Sequence, residues 1–141
     1  MWFRSLERAL APLVLASCVG SAPTYDQIAL VKYDEANALF DQGRYADCID
    51  RYEYVVKWRD QIRDAYLRLA TCYERTGEPD RGVRTLERLL RVDRRNLEAL
   101  RRLAAAYAAR NRVAEAVEMN RRILEIDPND AGAKAELERM K

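Results

Sequence analysis

The side chains with the most chemical potential in this chain are three cysteines, Cys18, Cys48 and Cys72, and a large set of carboxylates. A thiol acts as a nucleophile once a base has taken its proton, and the 141 residues include no histidine to do so. The lack of an imidazole also excludes Ser-His-Asp and Cys-His sites and removes the commonest ligand of zinc and iron centres. The five glycines, Gly20, Gly43, Gly77, Gly82 and Gly132, are scattered, so no glycine-rich phosphate loop forms. The carboxylates are spread along segments that alternate them with arginine, a pattern of solvated helix faces. No catalytic residue, metal site, cofactor or small-molecule substrate is expected, and the chain is read as a non-enzyme.

The elements that must position these residues are helical. Charged residues make up 34% of the chain, only 9 of its residues are glycine or proline, and Ala, Leu, Arg and Glu dominate. A length of 141 residues suits a single domain with one core. The helices are expected near 25–42, 45–58, 63–76, 79–92, 97–110, 113–126 and 130–140, with Pro79 in a first turn and Asp127 to Asp130 ending one helix and capping the next.

The first eighteen residues follow a different pattern. An apolar stretch from Ala9 to Cys18 follows Arg4 and Arg8 and is too short to span a bilayer as a helix, which takes about 20 residues. Its end, Leu15-Ala16-Ser17-Cys18, resembles the bacterial lipobox. The resemblance implies a signal peptide over residues 1–17, acylation of the Cys18 thiol, and a short tether over 18–24. It further implies a lipid-anchored protein of the bacterial cell envelope. Val19, standing where an aspartate would hold a lipoprotein in the inner membrane, points to the outer membrane facing the periplasm.

Beyond the tether the chain repeats itself. Ala36, Ala70 and Ala104 are 34 residues apart, and Leu39, Tyr73 and Tyr107 follow each by three. Gly43, Gly77 and Asn111 fall together at a turn where a left-handed backbone is expected. Cys48, Gly82 and Ala116 form a small-residue column, followed by Tyr52, Leu86 and Asn120 and then Val55, Leu89 and Ile123. A 34-residue step with two amphipathic helices per unit resembles the tetratricopeptide-repeat (TPR) family. The resemblance implies an all-α solenoid of three helical hairpins, about 29–62, 63–96 and 97–130, with a capping helix over 131–141.

It also implies a concave groove, lined by the first helix of each unit, that receives a segment of a partner protein. Carried over by register, the groove comprises Leu30, Tyr33, Asn37 and Phe40, then Asp64, Leu67, Thr71 and Glu74, then Glu98, Arg101, Ala105 and Ala108. The carboxylate-clamp variety of the family is not matched. Asn37 and Arg102 occupy two clamp places, but Tyr33, Arg68 and Glu98 stand at the others.

Charge is uneven along the domain. Residues 81–112 hold ten arginines against Glu87, Asp93 and Glu98, and Arg84, Arg88, Arg91 and Arg95 share one helix face. Such a face is either solvated or turned to lipid phosphates or an acidic partner; nucleic acid is not expected for an exported chain. Cys48 and Cys72 fall on adjoining helices, as core thiols or as a disulfide. The expected function is a membrane-anchored protein-interaction scaffold of an envelope assembly, of the outer-membrane biogenesis, pilus or secretion type. The alternative is a soluble TPR adaptor or co-chaperone.

Overall fold

The computed structural model describes residues 22–140, so the expected signal peptide, Cys18 and most of the tether lie outside the described residues. Seven helices follow one another: α1 (Tyr25–Asp41), α2 (Tyr45–Trp58), α3 (Arg63–Arg75), α4 (Pro79–Val92), α5 (Leu97–Ala109), α6 (Val113–Ile126) and α7 (Ala131–Arg139). Among the described residues there is no strand, and each helix matches its expected bounds to within one residue at either end.

The same backbone solution closes each hairpin. Gly43, Gly77 and Asn111 adopt φ of 72°, 83° and 58°. This left-handed step lets the next amide turn back: Arg44, Glu78 and Arg112 donate to the carbonyls of Leu39, Tyr73 and Tyr107 at 2.9, 2.8 and 2.9 Å. Asn111 does the work of glycine because its short polar side chain tolerates that region. Side-chain caps appear only on the helices that open a unit or the cap. Thr24 forms a capping box with Gln27, Asn96 accepts from the Ala99 amide, and Asp130 accepts from the Ala133 amide.

The repeated columns form the core. Ala36, Ala70, Cys48, Tyr52, Val55 and Leu89 are fully buried, and Leu86, Ala104, Ala116, Asn120 and Ile123 are buried beside them. Gly82 marks a close helix crossing: a Cβ there would lie 3.1 Å from the Ala70 carbonyl oxygen, so α4 sits against the backbone of α3. Units are joined by a bond that itself repeats. The Tyr73 hydroxyl donates to Glu53, and 34 residues on the Tyr107 hydroxyl donates to Glu87 at 2.6 Å.

Helices pack on their sequence neighbours throughout, and α1 also touches α3 directly, a contact without an equal between the second helices. The first helices α1, α3 and α5, with α7 in the place of a fourth, form an inner layer; α2, α4 and α6 form an outer one. At the start of the stack the pattern turns polar. Lys32 and Glu35 occupy the positions at which the later units bury Tyr66 and Leu100, and Leu69 and Leu103.

Candidate protein-binding groove

The inner layer carries the groove residues expected from register, and it groups them in three clusters. In the first, Tyr33, half-buried on α1, donates its hydroxyl to Asp64 of α3 at 2.9 Å, and burial together with that carboxylate raises the phenol above its ordinary range. The Phe40 ring lies edge-on to Tyr45 and Tyr52, with the Arg68 guanidinium 5.0 Å above it. Arg68 is itself tied to Asp64 at 2.7 Å and to Asp41 at 3.3 Å. Asn37 accepts the Tyr52 hydroxyl at 2.7 Å, and desolvation holds that buried phenol protonated.

Around α3 and α5 the second cluster forms. Arg102, at the position of Arg68 one unit earlier, reaches back to the Leu67 carbonyl at 3.0 Å and to Glu74 at 2.7 Å. Thr71 donates to the same carbonyl at 3.1 Å, and the Leu67 side chain is half-buried. The third cluster is a pocket of about 560 Å³ between α5 and α7, walled by Ala104, Ala105, Ala108, Ala109 and Ala135 over a floor of Ile123 and Asn120. It is open because Asn120 stands where the earlier units place Tyr52 and Leu86, and alanines stand where α1 carries larger groups. Its rim is the 2.7 Å ion pair of Arg101 with Asp130, which also holds the Asp130 carboxyl below its ordinary range.

Two groove residues join none of these clusters: Leu30, 41% exposed near the start of α1, and Glu98, exposed at the start of α5. Arg68, Asp41, Asn120 and the α7 residues Ala135, Glu136 and Arg139 belong to the face and were not among those expected. The α7 contribution follows from the same register, since Ala135 and Arg139 lie 34 residues after Arg101 and Ala105.

Four of the five clamp positions, all but Glu98, are occupied by internal bonds. Tyr33, Arg68, Asn37 and Arg102 each satisfy a neighbour on the face. No loose cationic pair for a terminal carboxylate is left among them. The remaining groups are chemically quiet. Cys48 and Cys72 are fully buried free thiols, and desolvation pushes both above the ordinary thiol range. Among the described residues no cluster of His, Cys, Asp or Glu is arranged to hold a metal ion. The basic face lies on the opposite side of the molecule. Arg84, Arg88, Arg91 and Arg95 are exposed on and just after α4, with Arg88 5.7 Å from the centre of the Tyr66 ring. None of the four forms an ion pair among the described residues, whereas the groove arginines Arg68, Arg101 and Arg102 all do.

Known proteins share this arrangement. Two tetratricopeptide-repeat family models match residues 39–96 and 73–131. DnaJ homolog subfamily C member 3 of Bos taurus is 27% identical over 110 residues, 75% of this chain and 22% of that protein. Protein PHOX1 of Arabidopsis thaliana is 32% identical over 119 residues, 80% of this chain and 16% of that protein. The chain thus spans about a fifth of the length of the curated relatives it matches. Among solved structures, the first TPR of Spaghetti (RPAP3), bound to an HSP90 peptide SRMEEVD, superposes with a TM-score of 0.66 at 27% identity, over 82% of this chain and 91% of that one. MamA shares the fold at a TM-score of 0.69 and 19% identity, over 80% of this chain and 62% of that one. With both family models in register on the hairpins described above, the chain belongs to the tetratricopeptide-repeat family.

Proposed function

We propose that this chain is an interaction scaffold that holds a segment of a partner protein along its inner face and is fixed to a membrane through Cys18. The observation that carries the first half is the face itself. Its polar groups other than Glu98 are bonded to one another, which leaves exposed and half-exposed apolar surface at Phe40, Leu67, Ala105 and Ala108 leading to an alanine-walled pocket. Apolar surface left over after internal pairing gains most from a partner segment that buries it. Placing a photo-reactive amino acid at Leu67 or Ala105 in the source cells tests this. Adducts to a polypeptide are expected from these sites and not from Arg44, on the hairpin loop away from the groove; equal yield at all three contradicts the reading.

The second half rests on Leu15-Ala16-Ser17-Cys18 and on the five residues between Cys18 and the capping Thr24, whose six steps reach about 20 Å when extended. A bacterial envelope scaffold, outer-membrane-anchored and facing the periplasm, fits that segment. Among the described residues no helix is long and apolar enough to cross a membrane. Labelling with a fatty-acid analogue is expected to vanish in Cys18→Ala; persistent labelling defeats the anchor and leaves the groove untouched.

A second reading, a soluble adaptor or co-chaperone, is favoured by the relatives. They include DnaJ homologs and the Hsp70-Hsp90 organizing protein 2 of Arabidopsis thaliana, and the RPAP3 domain was solved with an HSP90 peptide. Fractionation of the native protein and titration with the peptide SRMEEVD separate the two. Saturable micromolar binding with the chain in the soluble fraction selects the adaptor. The self-paired clamp positions predict no saturation up to about 1 mM, where binding free energy falls to about 4 kcal/mol.

A further inference from the structure

The arginines of the outer layer remain unexplained by a scaffold that works through its inner face. Between α4 and α6, floored by α5, lies a cleft of about 430 Å³. Arg91, Arg94 and Arg122 line it over an apolar floor of Leu90, Leu103 and Met119. Arg122 is fixed there by donating to the Arg94 carbonyl at 2.8 Å. The single carboxylate in the lining, Glu87, is engaged by the Tyr107 hydroxyl rather than by any of the three guanidinium groups. A smaller cleft of about 160 Å³ continues from it, again lined by Arg94 and Arg122, with Arg95 and with Glu125 as its carboxylate.

Three guanidinium groups with no carboxylate partner are a strong field for a phosphate, which takes Arg in the bidentate mode. A single free phosphate occupies one such cluster, whereas an anionic lipid surface presents many phosphates in one plane, and the exposed arginines here continue well beyond the cleft. The surroundings are those of a membrane surface: Arg84, Arg88 and Arg95 extend the positive face along α4 over roughly 16 Å, and Val92 stands 41% exposed among them.

The place at which the chain enters the domain agrees. The start of α1 lies beside the end of α2, with Tyr25 stacked on Trp58 at 4.2 Å and Asp26 paired with Arg59. That edge carries the loops between units, including Arg94 and Arg95, and the 21 residues ahead of Ala22 hold the apolar run Ala9 to Cys18. We infer that the α4–α6 cleft and the arginine face around it form a docking site for anionic phospholipid headgroups, which lays the outer layer on a membrane and turns the groove away from it. The inference stands on the cleft and holds whether or not Cys18 is acylated.

The test uses the full chain carrying Cys18→Ala, so that no acyl chain contributes and the apolar run is common to every comparison, floated with vesicles of phosphatidylcholine alone or with 30% phosphatidylglycerol. Partition to the anionic vesicles is expected to exceed that to neutral ones at least tenfold and to fall in 0.5 M salt, each basic side chain near the surface contributing about fivefold. The variant Arg91→Glu/Arg94→Glu/Arg122→Glu should lose that preference, about 100-fold in partition. Arg91→Gln/Arg94→Gln, which leaves the Arg122 bond in place, should lose at least tenfold with an unchanged far-UV dichroism spectrum. Equal binding to both vesicles, or no loss in the second variant, overturns the proposal. So does saturable binding of soluble glycerol phosphate or polyglutamate that is tighter than vesicle binding and is abolished by the same substitutions.

Discussion

Gly82 on α4 faces the carbonyl of Ala70 on α3 so closely that a Cβ there would lie 3.1 Å from the carbonyl oxygen and press it back by a few tenths of an ångström. The equivalent positions in the other hairpins are Cys48 and Ala116, both buried with a Cβ in place, so the second unit alone lacks a side chain at this crossing. Replacing Gly82 by alanine sets a gain in helix propensity of about 1 kcal/mol against that contact, and the net change should stay within about 1 kcal/mol. Gly82→Val adds branching that the backbone of α3 cannot accommodate and should destabilise by about 2 kcal/mol or more. Urea unfolding of the two variants checks the order; equal stability of Gly82→Val and the parent contradicts the packing described.

The hydrogen bond from Tyr107 to Glu87 links the second and third units. Burial and that carboxylate push the phenol up to about 12, against an ordinary value of 10.0. A group that keeps its proton longer in the folded chain stabilises it fully below the unfolded pKa and loses that stabilisation as pH rises through the folded one. Stability should therefore fall between about pH 10 and pH 12, and Tyr107→Phe should make this fall shallower, the raised phenols of Tyr33, Tyr52, Tyr66 and Tyr73 contributing the rest. Tyrosine absorbance titrated alongside unfolding follows both.

Asn96 caps α5 through the Ala99 amide at 3.0 Å and is held in turn by Asp93. Asn96→Ala should cost about 1 kcal/mol, the usual loss for an N-cap, and lower the melting temperature by about 4 °C. Calorimetry decides this. An unchanged midpoint places the start of α5 elsewhere.

Cys48 and Cys72 stay protonated because burial disfavours their thiolates, and they lie on adjoining helices as free thiols. In a Cys18→Ser protein, Ellman's reagent at pH 8 should find no reactive thiol in the native state and two after denaturation without reductant. A denatured protein with none carries a bridge instead.

The backbone of this fold was open to inspection in the residue columns. The 34-residue step fixed seven helix positions, and Gly43, Gly77 and Asn111 announced the left-handed turns because few other residues tolerate that conformation. The face was legible in outline and not in substance. Register put Tyr33, Asp64, Glu74 and Arg101 on one side, but their pairings with Asp41, Arg68, Arg102 and Asp130 depend on how one unit is rotated against the next. Long side chains span that rotation, so their partners lie 27 to 31 residues apart and carry no local signal. The pocket at the end of the groove arises from Asn120, visible in sequence as a departure from the repeat but understood only once α7 stands beside it. Gly82 was a similar departure whose meaning, a close backbone approach, needed the position of Ala70.

The most direct test of a scaffold acting through its inner face is to fill the pocket between α5 and α7 and ask whether the partner is lost. Ala105→Trp and Ala108→Arg project into that pocket from exposed and half-exposed positions and should leave the melting temperature unchanged. Photo-crosslinking from Leu67 in the source cells is then compared in the parent and in these variants. The scaffold reading predicts that the polypeptide adduct of the parent falls at least tenfold in each variant while the folded protein persists. An adduct of undiminished yield from both variants contradicts it.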